Sequence, residues 1–379
     1  MQLINHSVHQ HWDKLNVCLV GKSYSPEFYG FIKNPKIRTV MERIARETEE
    51  DYQKLVSLLH SFGVKVIRPH LTDDYKDYLH NNRILPPPMC PRDYSIMIGD
   101  KFYFKSQFEN SGIVDRFNPY YVSNLDRVTW RDLFTYAQEN NLNIINDINV
   151  VNPPKDKWLL NFINSAITTR IGKDLYFGTN ANWWAGSTVG DKMEKRNGAL
   201  SVMQQHIQEQ FPDYRCHVID TEGHNDGTFC PVVPGLIVSI CDAPKYEQTF
   251  PNWEVIYLEG ESWNKVRPFI ELKKKNKGKW WVPGEELNDE FTEFVEQWLG
   301  HWVGYVEESV FDVNMLVIDE HNVVCSGTNE EVFNAFKKRN ITPHVLNFRH
   351  RYFWDGGLHC VTSDISRTGE LKDYFPERQ

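Results

Sequence analysis

Seven cysteines are spread along this 379-residue chain. One of them, Cys360, lies in DGGLHCVTSDISR, where two glycines deliver a His-Cys pair into a polar run. Cysteine is a nucleophile only as the thiolate, so it needs a base or cation nearby. Two further stretches gather reactive side chains beside turn residues. In PPPMCPRDYSI a proline run fixes an extended backbone and leaves Arg92 and Asp93 at the mouth of a strand. In TEGHNDGTF, His224 and Asp226 are two apart and share one side of an extended segment, and the flanking glycines permit close backbone approach. His224 could activate Cys360. Asp93 and Asp226 could orient a histidine or bind a cationic substrate. Paired carboxylates suit a planar guanidinium, whose N–H groups they accept in bidentate fashion. Taken singly these features are ordinary, since an HxD pair is most often structural and a lone cysteine near a terminus is most often a core thiol. Together, each at a strand–turn junction, they point to a Cys-His site acting on a guanidine or amidine.

The elements that must position these groups recur along the chain. SIMIGDKFYF (95–104), TTRIGKDLYFGT (168–179), CPVVPGLIVSI (230–240) and NMLVIDEHNVVCSG (314–327) each read as two apolar strands around a tight turn. The turns are about 60 to 85 residues apart, with helical patterns between them at 36–63, 191–211 and 329–340. Each helix is followed by a β-rich stretch: VKVIRP, YRCHVID or ITPHVLNF. A recurring β-β-α-β unit predicts a radial array, the alternative being an ordinary α/β domain with several hairpins. The segment 245–286, polar, Trp-rich and basic in its middle, is expected to be an insertion or flexible loop.

Bulk properties narrow the function. A formal charge of −9 argues against a nucleic-acid partner, and no apolar run approaches the ~18 residues of a membrane span. MQLINHSVHQHWDKLNVCLVG lacks a basic start followed by an apolar block, so no secretory signal is expected. An odd cysteine count without a CxxC pair argues against a disulfide framework or structural zinc and leads to an expected cytoplasmic location. No metal-ligand spacing and no organic-cofactor motif is visible, so no cofactor is expected. The sequence is compatible with a homodimer without requiring one.

Five stretches, HWDKLNVCLVG, MCPRDYSIMIGD, RIGKDLYFGT, GHNDGTF and GGLHCVTSDISRTGELKDYF, make the chain resemble the amidinotransferases, of the guanidine-modifying superfamily that includes arginine deiminase. The resemblance runs along most of the chain and implies one domain over 1–379, a five-bladed α/β propeller of ββαβ modules with its site at the central axis. It implies Cys360 as the nucleophile that takes an amidino group from a guanidine donor, arginine by default, and passes it to an amine. His224 would be the general acid and base, and Asp93 and Asp226 would hold the guanidinium, with Arg92 beside them. The glycines before Cys360 would let a planar donor reach the sulfur. Water in place of the amine would make a deiminase. A non-catalytic guanidine-binding protein is the remaining alternative.

Two departures from the family stand out. Its third catalytic carboxylate falls, counting back from Gly172, on Asn164, and no acidic residue lies between Lys157 and Lys173. Asn164 can hydrogen-bond but cannot carry charge, and in Ser-His-Asp sites such a change costs about four orders of magnitude in turnover. Either Asp147 or Asp156 reaches the site instead, or Asn164 serves a modified acceptor chemistry, or the protein is a weak or inactive relative. In arginine-using relatives two serines and an arginine hold the donor's α-carboxylate. The matching positions here are Glu307, Glu308 and Ala243, with Lys245 a substitute for the arginine. Two glutamates attract an amine, so a donor or acceptor with an extra amine is expected.

Overall fold

The computed structural model describes residues 6–80, 83–108, 119–146, 163–179, 204–221, 224–240, 246–258, 282–285, 287–299, 313–354 and 356–378. The chain opens with β1 (Lys14–Val20), the long helix α1 (Pro35–Ser61), β2 (Lys65–Ile67) and a short hairpin of β3 (Leu79–His80) and β4 (Arg83–Ile84). Next come β5 (Ser95–Ile98), β6 (Lys101–Phe104), helices α2 (Pro119–Thr129) and α3 (Arg131–Asn140), and β7 (Asn143–Asn146). Then follow β8 (Thr168–Ile171), β9 (Asp174–Thr179), β10 (Arg215–Asp220), β11 (Phe229–Val233), β12 (Leu236–Ser239) and β13 (Glu254–Tyr257). The last strands are β14 (Leu316–Asp319), β15 (Asn322–Cys325), β16 (Thr342–Val345) and β17 (Thr362–Thr368).

Apart from the short hairpin, these strands form five three-stranded sheets of one pattern. In four of them the first strand pairs antiparallel with the second through a tight turn, and the second pairs parallel with the third. A parallel pair requires a crossover, supplied by α2 and α3 between β6 and β7 and by a helix at Glu330–Lys338 between β15 and β16. The fifth sheet repeats the pattern with strands from the two ends of the chain: β17 pairs antiparallel with β1, which pairs parallel with β2 across α1. The chain is a five-bladed α/β propeller, closed on itself by its first and last strands.

Local chemistry explains the elements. Asn34 caps α1, its side-chain oxygen accepting from the Lys36 N–H at 3.0 Å, and Pro35 occupies the first turn. Ile37, Met41, Ile44, Tyr52, Leu55 and Leu59 bury one face of the helix, and Gly63 ends it at φ +75°. The hairpin between β8 and β9 turns at Gly172, at φ +59°, where a Cβ would lie 2.0 Å from the Lys372 carbonyl oxygen. The leading strands β5, β8 and β11 are buried along their whole length, whereas β13 and β16 are mostly half-buried or exposed.

The four expected hairpins, the helices at 36–63 and 329–340 and the strands after them form as read. Of the helix expected at 191–211, residues 204–210 are helical and 191–203 lie outside the described residues. The expectation for 245–286 needs correction. Its first part supplies a short helix, Tyr246–Thr249, and β13, the third strand of the fourth blade. Polar and aromatic residues misled there because an outer strand, open to solvent, has little need of an apolar pattern.

Candidate active site

Each blade begins with a turn, and hydrogen bonds tie the five turns into a closed ring. The Ser165 N–H donates to the carbonyls of Arg92 and Ser95, both at 3.0 Å, and the Asp226 N–H to Ala166 at 3.2 Å. Asn314 Nδ2 donates to the Asp226 carbonyl at 3.2 Å. The N–H groups of His359 and Cys360 donate to Asn314 Oδ1 at 2.8 and 3.1 Å. Arg92 Nε closes the ring, donating to the His359 carbonyl at 2.6 Å. Residues more than 260 positions apart thereby share one small region.

Cys360 lies on this ring, 4% exposed. Its sulfur is 3.0 Å from Asn314 Nδ2 and 3.6 Å from Asp226 Oδ2. The same carboxylate oxygen is 2.9 Å from His359 Nδ1. Burial, with Arg92 and His11 next in weight, holds the His359 imidazole well below its ordinary value of 6.5. A neutral ring facing a carboxylate, which only accepts, must carry its proton on Nδ1. His359 is therefore a direct partner of Asp226 as well as part of the turn. Burial pushes the thiols of Cys18, Cys216 and Cys230 up to about 12.

The expected site residues fall into three groups. Cys360 and Asp226 are in contact. Asp93 and His224 sit on ring turns, Asp93 beside Arg92 and His224 two residues before Asp226, its carbonyl accepting from Thr228 Oγ1 at 3.1 Å. Glu307 and Glu308 lie outside the described residues, as do Ala243, Lys245, Asp147 and Asp156.

Geometry gives two of the expected residues structural partners. Arg92, read as a substrate-binding group, is 0% exposed. Its Nε donates to the carbonyls of His359 and Thr362, and its Nη2 pairs with Asp364 at 3.4 Å. It braces the Cys360 turn from within. Asn164, read as catalytic, turns its Oδ1 onto the N–H groups of Ala166 and Ile167, both at 2.9 Å. That is the capping bond of a turn-forming asparagine, so Asn164 shapes its own turn.

The glycines before Cys360 have a packing use as well. A Cβ on Gly356 would lie 2.8 Å from Cys90 Sγ, and one on Gly357 would lie 2.4 Å from Asn314 Oδ1. They admit neighbouring side chains into the turn. Beneath the ring Asp364 receives Arg170 Nη2 at 2.8 and 2.9 Å and Arg367 Nε at 2.8 Å. Burial pushes its pKa up, but Arg170, Arg367 and Arg92 outweigh burial and hold the carboxyl well below the usual range. Asn314, His11, Arg170 and Arg367 were missed in the sequence. The available signal for Asn314 was positional, since Asn164, Asn225 and Asn314 each stand within four residues of the first strand of a blade.

No family model matches the chain. Over 96% of its length it is 23% identical to the mitochondrial glycine amidinotransferase of Xenopus tropicalis, of which it covers 83%. Over 97% it is 21% identical to inosamine-phosphate amidinotransferase 1 of Streptomyces glaucescens, of which it covers 98%. The chain is therefore similar to amidinotransferases along nearly its whole length. The solved inosamine-phosphate amidinotransferase of Streptomyces griseus shares its fold, with a TM-score of 0.60 at 18% identity over 98% of this chain and 99% of that one. Among the described residues, no group of His, Cys, Asp and Glu is arranged to hold a metal ion, and no helix is long and apolar enough to cross a membrane.

Proposed function

We propose that this enzyme transfers an amidino group from a guanidine donor, L-arginine, to an amine through a covalent amidino-cysteine at Cys360. One observation carries the reading: the Cys360 sulfur lies 3.6 Å from the Asp226 carboxylate on the ring where the five blades begin. A carboxylate there can hold a guanidinium by paired N–H bonds while the sulfur faces its central carbon. Asp93, on the adjoining turn, is the second carboxylate of this cradle.

In the first half-reaction the Cys360 thiolate attacks the guanidinium carbon and a C–S bond forms. The bond from that carbon to the alkyl-bearing nitrogen breaks, and His224 delivers a proton to the departing amine. The sulfur keeps a planar amidino group. In the second half the acceptor amine attacks that carbon, His224 takes the amine's proton, and the C–S bond breaks to return the thiolate. Asn164, neutral and committed to its turn, moves no proton in this scheme.

The reading is tested by incubating the enzyme with arginine and a panel of primary amines and following products by mass spectrometry. Ornithine and an amidinated amine in equal amounts are expected. Citrulline formed without any need for an amine would replace transfer by hydrolysis.

A further inference from the structure

We propose that Asn314 is a catalytic residue, whose Nδ2 stabilises the Cys360 thiolate in both half-reactions; this rests on the reading of Cys360 as the amidino carrier. The orientation of the amide is settled by its partners. Its oxygen receives two backbone N–H groups, from His359 at 2.8 Å and Cys360 at 3.1 Å. Flipping the amide would set its NH2 against two donors. The nitrogen must therefore face the opposite side, where two acceptors wait: the Asp226 carbonyl at 3.2 Å and the Cys360 sulfur at 3.0 Å. One N–H serves each.

A donor aimed at sulfur favours the thiolate over the thiol, because a charged acceptor makes the stronger bond. The site needs that help. Asp226 Oδ2, 3.6 Å from the same sulfur, opposes negative charge there. Sulfur carries charge twice per turnover, before it attacks the guanidinium carbon and when the acceptor amine expels it. A donor already fixed by its own carbonyl end needs no reorganisation at either moment. The turn is built around this amide, since any side chain at Gly357 would collide with Oδ1.

Anchoring the turn and polarising the sulfur are separable. Asn314→Asp keeps the oxygen that receives the two N–H groups and replaces the donor by an acceptor. Asn314→Ala removes both without adding charge, with Asn314→Leu as the neutral replacement should the alanine variant fail to fold. The Cys360 thiolate is titrated by ultraviolet difference absorbance against Cys360→Ser, which requires no guanidine. A rise in titration midpoint of about one pH unit or more is expected in both the aspartate and the neutral variant. Unchanged midpoints overturn the proposal. A rise confined to the aspartate variant also overturns it, since added charge alone explains that result. If guanidines fail to label native Cys360 while the midpoints shift, the amidino-carrier reading fails and thiolate stabilisation stands.

Discussion

Six free cysteines lie among the described residues, so residue type alone does not single out Cys360. Its surroundings do. Burial pushes the thiols of Cys18, Cys216 and Cys230 up; Cys360 is buried too, but it has both a carboxylate and an amide donor within bonding reach of its sulfur. Asn164 illustrates how a residue at a catalytic-looking position can serve the backbone. Asn164→Ala should destabilise the protein by about 1 to 2 kcal/mol through loss of the two capped N–H groups, measured by urea unfolding, while Asn164→Asp should retain most of that stability. Equal loss in both would show that the capping bonds contribute little. Cys360 and Asp226 were legible because each stands in a short motif of turn residues. The bracing contacts of Arg92 were not legible because the groups it holds, His359, Thr362 and Asp364, are 267 to 272 positions away, and no local pattern betrays a partner at that distance.

Hairpins carried most of the fold's legibility, because a tight turn between two apolar strands is a local event with its own residue preferences. The third strand of a blade is different. It pairs in parallel after a crossover and lies at the outer, wetter side, so β13 passed for part of a polar insertion. The turns that order the blades are also where substitutions should be felt most. Gly172→Ala forces φ +59° on a side chain and sets its Cβ 2.0 Å from the Lys372 carbonyl. It should lower the midpoint of thermal unfolding clearly, whereas Gly30→Ala, where no atom lies within 4 Å of the new Cβ, should leave it within a degree or two. Matching losses at both sites would contradict the close approach at Gly172.

At the scale of the whole molecule, pairing β17 with β1 closes the circle of blades and seats Cys360, two residues before β17, on the ring. That closure also buries titratable groups. Burial, then Arg170, keeps His11 well below the ordinary histidine value of 6.5, and His359 is lowered too. Above 6.5 both are neutral in folded and unfolded chains alike. Below it the unfolded chain takes up protons that the folded one refuses, so stability must fall as the pH is lowered, each histidine adding to the loss. Denaturant unfolding across mildly acidic pH should show this slope, and His11→Gln should flatten it; an unchanged slope would remove His11 as its source. Yet the propeller matters chiefly because it brings five distant turns around one sulfur. The most direct test of that arrangement is the intact mass of the protein after brief exposure to arginine and other guanidines. An amidino-sized increment, mapped to Cys360 and missing from Cys360→Ser, is the predicted result; native protein that gains no mass from any guanidine, or gains it on another residue, would contradict the account.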